Sequence, residues 1–461
     1  MIYTGAMAEA LVIPWRRLAL TLLAPLAVVL LGRWPLPVFH LEAFARTGAD
    51  VDRSLFSAFA FGLTPIVNAF LTIEVAALIV RRWRPLRHGG IEGRARLRRR
   101  VLQLALILVA MQTFFYIRWM RSWDDSPPYP GFTINPHSTA GWLVVIAGLA
   151  AGPFVLLWLA DLISERGLGN GMSVLIAAGA IPDAVAALTT FVRAHLNSGE
   201  QRQIAAPLVL TAMVVAALVA STARRPTEGW RSRPPRPTLL APISALLPLS
   251  VWFWLVGLPG HLAAFTESAR IKAAGQWLGT LSPSVAAVLL PLLAALVAAF
   301  CWLFARPSLV APVWSQRLGA NDAANGHSDA LAAARAAFQR ARLRAIAFVC
   351  ALGFVAWLDG GVNLTVDVVA LIIVACAALD VAGELRFRAA HGDVAIVTAE
   401  HRLYAVGPAL AALEAGGIAH FPRALRHRML LAFWGPYLPV EILVPRPRAD
   451  DARAVLHAMT S

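Results

Sequence analysis

Few residues of this chain could do chemistry, and their placement limits what kind. The stretch "ISERGLGNG", Ile163–Gly171, sets an acid, an arginine and three glycines between two apolar segments. Glycine permits tight turns and close backbone approach. These nine residues therefore read as a short hairpin between two spans, with Glu165 and Arg166 pairing or sitting at the interface and Asn170–Gly171 opening the next helix. Two further acids, Glu74 and Asp380, fall inside apolar segments, where a carboxylate is costly unless protonated, paired or wet. Cys301, Cys350 and Cys376 lie in apolar segments too, without CxxC spacing or a partner histidine, and read as packed, inert thiols. Lysine occurs once, at Lys272 in "ARIKAA", so no Gly-Lys-Ser/Thr phosphate loop exists and nucleotide hydrolysis by that route is excluded. No HExxH, GxSxG or Cys/His arrangement is present either. The expectation is a protein that is not an enzyme, with no catalytic residues, no metal and no cofactor.

The elements that must position these residues are membrane spans. Of 461 residues 58% are hydrophobic and 15% charged, with mean hydropathy +0.65. A water-soluble fold of this length could not hide that much apolar surface. A spanning helix takes roughly 20 mostly apolar residues. About ten such stretches can be placed, near 14–32, 56–80, 101–119, 140–162, 172–192, 205–222, 239–258, 284–305, 343–358 and 364–384. The first is followed by Arg33 and Trp34 rather than small residues, which argues against a cleaved signal peptide.

The net charge of +15 is distributed by loop. Arginines gather at Arg16–Arg17, in "RRWRPLRHGGIEGRARLRRR" (81–100), at 224–236 and at 335–344, whereas Glu42, Asp50, Asp52, Asp124 and Asp125 occupy the intervening loops. The positive-inside rule then predicts both termini in the cytoplasm, as an even span number requires. The basic loops serve topology alone on one reading, and on another offer a docking surface for ribosomal RNA or an acidic partner.

After His391 the composition changes. "DVAIVTA", "IAHFPR", "RMLLAFW" and "VEILVP" read as strands; "HRLYAVGPALAALEAGG" and "ADDARAVLHAM" read as helices. This β-α-β-β-β-α pattern predicts a small α+β domain over 391–461, apart from a membrane domain over 1–390. His401, His420 and His427 read as surface residues rather than ligands.

With these readings in place, the "SERGLGNG" stretch resembles the SecY family, the central subunit of the Sec protein-conducting channel. That family carries a Ser/Thr-Glu-Arg-Gly-hydrophobic-Gly-Asn-Gly turn between its fourth and fifth helices, and Glu165, Arg166, Gly167, Gly169, Asn170 and Gly171 match it in place. Further matches follow in order. "FGLTPIVNAFLTIE" (61–74) looks like the family's second helix, and "RHGGIEGRARL" (87–97) its Glu-Gly-Arg loop, with Arg94. "RWPLP" (33–37) is similar to the segment after helix one, and "ALDVAGELRFRAAHGD" (378–393) to the end of helix ten.

The resemblance implies an all-α polytopic membrane fold of two inverted five-helix halves, followed here by a ferredoxin-like cytoplasmic α+β domain. It implies translocation of unfolded preproteins across, and lateral insertion into, a bacterial inner membrane. By position the apolar pore ring would be Leu63, Val67, Met172, Ile176 and Ile373, with a helix-seven residue near Leu249 or Ser250. The plug would fall in 43–61, including Asp50, Arg53, Leu55 and Phe56, and the lateral gate would include Asn68 and Glu74. Implied partners are SecE-like and SecG-like small membrane subunits, a SecA motor or ribosome, preproteins with their signal sequences, and membrane lipids.

Departures from the family accompany these matches. Glu74 stands where the family has Gln, either as a protonated equivalent or as a gate element whose charge changes. The 306–344 loop lacks the family's Arg-Pro-Gly tip, leaving Arg317, Arg335, Arg340 and Arg342 as basic docking candidates. Two other readings therefore stand beside a conducting channel: a specialised or non-conducting paralogue acting as a membrane scaffold, and a small-solute carrier using Glu74 and Asp380. The extra tail is expected to pack near Arg317–Arg344 and change what docks there.

Overall fold

A computed structural model of the chain describes residues 14–39, 53–83, 85–86, 90–124, 139–197, 268–279, 368–401, 403–430 and 438–458, with isolated helical positions between 291 and 343. Its contacts divide it into two compact units: Pro14–Gly179, and Ala180–Ser461 with Met1–Ile13.

The first unit is helical. It contains α1 (Trp15–Gly32), α2 (Thr64–Ile79), α3 (Gly90–Asp124), α4 (Thr139–Arg166) and the opening turns of α5 (Gly171–Asn197). Among the described residues three helices are long and apolar enough to cross a membrane: Trp15–Gly32, Ala95–Met120 and Thr139–Arg166. Their outward faces are greasy. Leu22, Leu26 and Leu30 of α1, Ile107, Met111 and Phe114 of α3, and Leu143 and Trp158 of α4 are all exposed. Such surfaces suit hydrocarbon, where every backbone polar group must be satisfied within the helix. The inward face of α3 is a stripe of Leu97, Val101, Ala105 and Val109 at four-residue spacing.

The second apolar stretch, expected over 56–80, becomes helical only at Thr64. Gly62 takes a left-handed φ of 53° and Pro65 stands in the first turn, so the chain turns before the helix starts. The preceding residues are packed. Arg53–Phe56 form a single 3-10 turn, and Phe56 is buried with Phe39, Met120, Trp142, Val145 and Leu149. A side chain at Gly152 of α4 would meet the Ala58 carbonyl oxygen at 2.0 Å, so that glycine is what lets the segment lie against the helix.

The second unit holds the rest of α5, α6 (Ala269–Gly279) and α7 (Val368–His391), and then the tail. The tail comprises β1 (Val394–Glu400), α8 (Leu403–Ala415), β2 (Phe421–Arg423), α9 (Leu425–Leu430), β3 (Val440–Pro445) and α10 (Ala449–Ala458). Its three strands form an antiparallel sheet in the order β1-β3-β2, pairing Val394 with Pro445 and Arg423 with Glu441. Apolar residues of α8, β3 and α10, including Leu410, Leu413, Ile442, Val444 and Ala452, make its core. The expected strand "RMLLAFW" is corrected at its start, because Leu425–Leu430 is helical; residues 431–437 lie outside the described residues. The 391 boundary expected from composition falls inside this unit, at a turn where Gly392 has a φ of 67°.

Expected spans at 205–222, 239–258 and 343–358 lie outside the described residues, as does most of 284–305.

Candidate functional site: a buried interhelical turn and a helix-bound tail

The nine-residue stretch between α4 and α5 is built from the inside. Helix α4 closes at Arg166, and the Gly167 N–H donates to the Ile163 carbonyl at 2.7 Å. Gly169 then takes a left-handed φ of 70°, which a side chain would oppose. Asn170 caps α5: its Oδ1 accepts from the N–H groups of Met172 at 3.1 Å and Ser173 at 3.3 Å. The Gly171 N–H donates to Ser164 Oγ at 2.8 Å. A Cβ at Gly171 would stand 1.9 Å from the Ala160 carbonyl oxygen, so α4 and α5 meet there backbone to backbone.

Gly167, Leu168, Gly169, Asn170 and Gly171 are buried, while Glu165 and Arg166 face outward. The turn is therefore a packed joint with a charged rim. Two residues of α1 hold it that sequence reasoning missed. The Leu168 N–H donates to Thr21 Oγ1 at 2.8 Å, and Arg17 Nη1 donates to the Gly167 carbonyl at 3.2 Å. A buried threonine in an apolar helix was the one available signal, and it does not name its partner.

Of the ring candidates, Leu63 is buried at the start of α2 and Met172 in the first turn of α5, while Val67, Ile176 and Ile373 are half-buried. Leu63, Val67, Met172 and Ile176 belong to the first unit and Ile373 to the second. Among the plug candidates, Arg53 is exposed, Leu55 is half-buried and Phe56 is fully buried; the Leu55 carbonyl accepts the Tyr116 hydroxyl, and the Phe56 carbonyl accepts the Leu36 N–H at 2.8 Å. Asp50 lies outside the described residues. Glu74 is completely buried within the first unit, and Asn68 is half-buried two turns earlier. Arg94 is on α3, and Arg317, Arg335, Arg340 and Arg342, with Leu249 and Ser250, lie outside the described residues.

Asp380 has an assignment that the sequence did not suggest. Arg426 Nη1 reaches its Oδ1 at 3.1 Å, and the His427 backbone N–H donates to its Oδ2 at 3.1 Å. The carboxylate thus caps the first turn of α9, which is why that segment is helix rather than strand. One turn further along α7, Glu384 takes Arg423 in a bidentate pair, Nε to Oε2 at 2.8 Å and Nη2 to Oε1 at 2.9 Å. Arg388 Nε adds a third bond to Glu384 at 2.7 Å, and Arg423 Nη1 reaches Glu441 Oε2 at 2.9 Å.

Burial alone would lower the Arg423 pKa, but the hydrogen bonds and charge of Glu384, and then the charge of Glu441, hold it above the ordinary value. Phe387 and Phe421 stack beside the cluster at 5.9 Å, and a Cβ at Gly383 would meet the Phe421 ring at 2.8 Å. His427 corrects the surface reading: it is fully buried, neither ring nitrogen has a hydrogen-bond partner, and burial pushes its pKa down to about 3. Among the described residues no cluster of histidine, cysteine and carboxylate side chains could hold a metal.

Apolar spans joined by a buried, glycine-dependent turn define a polytopic helical membrane protein. Residues 57–226 match the SecY family model. The chain is similar to the protein translocase subunit SecY of Buchnera aphidicola, 30% identical over 135 residues covering 29% of each chain. It is also similar to the SecY of Thermotoga maritima, 25% identical over 236 residues, covering 49% of this chain and 53% of that one. A solved structure of a protein-conducting channel aligns over 81% of this chain and 92% of its own, at 14% identity and a TM-score of 0.45. The chain spans at most about half the length of these two curated relatives.

Proposed function

We propose that the protein is a protein-conducting channel subunit, passing unfolded chains across a bacterial inner membrane and releasing apolar segments sideways into lipid. The observation that carries this reading is the α4–α5 turn. The segment that matches the SecY family is also the one whose glycines and capping asparagine are fixed by packing, and it seats Met172 at the start of α5.

In this reading Leu63, Val67, Met172, Ile176 and Ile373 form a bulky apolar ring. A narrow dry constriction raises the cost of passing hydrated ions while flexing around a chain. Leu63 and Val67 stand four apart, as do Met172 and Ile176, so each pair shares a helical face. The segment from Asp50 through Arg53, Leu55 and Phe56 is the plug, and Asn68 with Glu74 belongs to the lateral gate. The architecture is ten helices in two inverted halves over 1–390 and a ferredoxin-like domain over 391–461, with both termini cytoplasmic. SecE-like and SecG-like subunits complete the channel. A SecA motor or ribosome docks on the arginine-rich face, which includes Arg94. The chain carries out no chemistry of its own.

The carrier reading loses support from Asp380, whose carboxylate is committed to Arg426 and the α9 backbone. The test is ion leak in reconstituted vesicles. Leu63→Ser and Ile176→Ser wet the ring and should each raise conductance; unchanged conductance in both would refute the ring.

A further inference from the structure

We propose that α7 leaves the hydrocarbon just before Asp380, and that the tail is a rigid platform seated at the membrane surface, built around the last three turns of α7 rather than hung from Gly392. The inference rests on the channel reading only for placing α7 in a membrane.

A tail joined to a span through a turn glycine would ordinarily swing on that turn. Gly392 supplies such a turn, with a φ of 67°. The sheet forbids the swing. Ile442 and Val444 of β3 pack into the core made with α8 and α10. Leu443 alternates with them, so it faces the other side of the sheet, and it is equally buried. In register with Leu443 stands Phe421 of β2, whose ring stacks on Phe387 of α7 at 5.9 Å. Further along β2, Arg423 lies opposite Glu441 and pairs with both it and Glu384. Helix α7 therefore covers the second face of the sheet. Its contact with the tail runs from Phe387 back to Asp380, which caps α9.

That contact fixes depth. Among the described residues the sheet has three strands, with β1 and β2 at its edges. An open sheet does not sit in hydrocarbon, because its edge amides and carbonyls would find no partners there. Ionised side chains are costly there as well. Whatever part of α7 the tail covers must therefore lie in water or among headgroups. The covered part begins at Asp380, with Arg426 beside it. From Val368 to Leu379 the helix carries no charged residue. The boundary thus falls between Leu379 and Asp380, which shortens the span expected over 364–384. From Asp380 to Gly392 the helical rise amounts to about 18 Å, and this length belongs to the platform. Its ion pairs are buried, with Glu384 0% and Arg423 3% exposed at their side chains, so added salt should not loosen it.

Ala378, Ala382, Arg386 and Ala390 lie about one turn apart on the side of α7 away from Glu384. In the full chain, with Cys301, Cys350 and Cys376 replaced by alanine, each is changed singly to cysteine and spin-labelled in lipid vesicles. Collision with oxygen, which concentrates in lipid, is compared with collision with a water-soluble nickel chelate. Ala382→Cys, Arg386→Cys and Ala390→Cys should favour nickel, and Ala378→Cys oxygen. An oxygen preference at Ala382→Cys overturns the boundary, as does nickel access at Ala378→Cys equal to that at Ala390→Cys. Pulsed distance measurement between labels at Arg386→Cys and at Ala454→Cys of α10 reads the rigidity. One narrow distance, unchanged by salt, is expected, and Arg423→Gln with Arg426→Gln should broaden it. A broad distribution in the parent, or none of that broadening in the variant, overturns the platform. The channel reading fails separately, if Leu63→Ser and Ile176→Ser change no conductance.

Discussion

Thr21 Oγ1 accepts the Leu168 N–H at 2.8 Å across 147 residues of sequence, tying the first helix of the chain to the turn that joins α4 and α5. The same hydroxyl donates to the Arg17 carbonyl at 2.8 Å, so its geometry is set by α1 itself. Leu168 is fully buried, and water cannot replace the lost acceptor. Thr21→Val, which keeps shape and removes the hydroxyl, should cost about 1–3 kcal/mol through the orphaned amide. Thr21→Ser should cost less. Thermal unfolding in detergent, with hydrogen exchange at Leu168, reads both; equal stability for Thr21→Val and the parent would remove α1 from the account of the turn.

Two glycines of α5 should respond oppositely to alanine. At Gly171 the new methyl would stand 1.9 Å from the Ala160 carbonyl oxygen, a backbone atom that moves only with its helix. Gly171→Ala should destabilise by about 1–3 kcal/mol, as other forced overpacking does. At Gly179 nothing lies within 4 Å. Gly179→Ala should leave stability unchanged or raise it by up to about 1 kcal/mol, the helix-propensity difference. Paired melting curves decide the order.

The joint was legible in the sequence because its requirements are local. A left-handed φ at Gly169, a close approach at Gly171 and a cap at Asn170 each ask for one residue type at one position. What supports it was not legible, since Thr21 and Arg17 lie 147 and 150 residues from their partners. The same physics explains the errors. The 56–63 stretch is apolar, as a span would be, but packs as a turn around Phe56. "RMLLAFW" is patterned like a strand, yet Asp380, 47 residues before His427, caps its leading segment into helix. Asp380 read as an isolated acid because Arg426 is distant in sequence and adjacent only in space. His427 read as surface because its polarity gives no hint that α7 and the tail enclose it.

The Arg423–Glu384 pair should dominate the stability of the tail. Removing one partner of a buried pair leaves an uncompensated charge and typically costs about 3–5 kcal/mol. Arg423→Met takes two of the three arginine bonds from Glu384, leaving it Arg388 alone, and removes the Arg423 contact of the partly exposed Glu441, so it should fall at the low end of that range. Arg448→Met, which breaks an exposed pair with Asp451, should have no measurable effect. Chemical denaturation followed by hydrogen exchange in β3 separates the two. Similar losses for both variants would mean the cluster is no more than surface charge.

His427 sets a direction for acid sensitivity. Its pKa is about 3 in the folded tail against an ordinary value of 6.5, so the unfolded chain binds the extra proton first. The neutral ring therefore contributes stability that is fully present above pH 6.5 and is lost as pH falls toward 3. One such group gives a slope of at most about 1.4 kcal/mol per pH unit in that window. Every other titratable group is common to both proteins, so the readout is the difference between parent and His427→Gln. The variant should show the shallower pH dependence between 6.5 and 3. Parallel curves would mean that the buried ring gains its proton without opening the fold.

The central claim is that an unfolded chain passes through this protein, and site-specific crosslinking to a stalled secretory chain in membranes tests it most directly. The probes are Leu63→Cys and Ile176→Cys, with Leu106→Cys on the exposed apolar face of α3 as reference. Adducts at Leu63 and Ile176 and none at Leu106 are the predicted result. No adduct at either ring position, or equal yield at Leu106, would contradict a conducting channel.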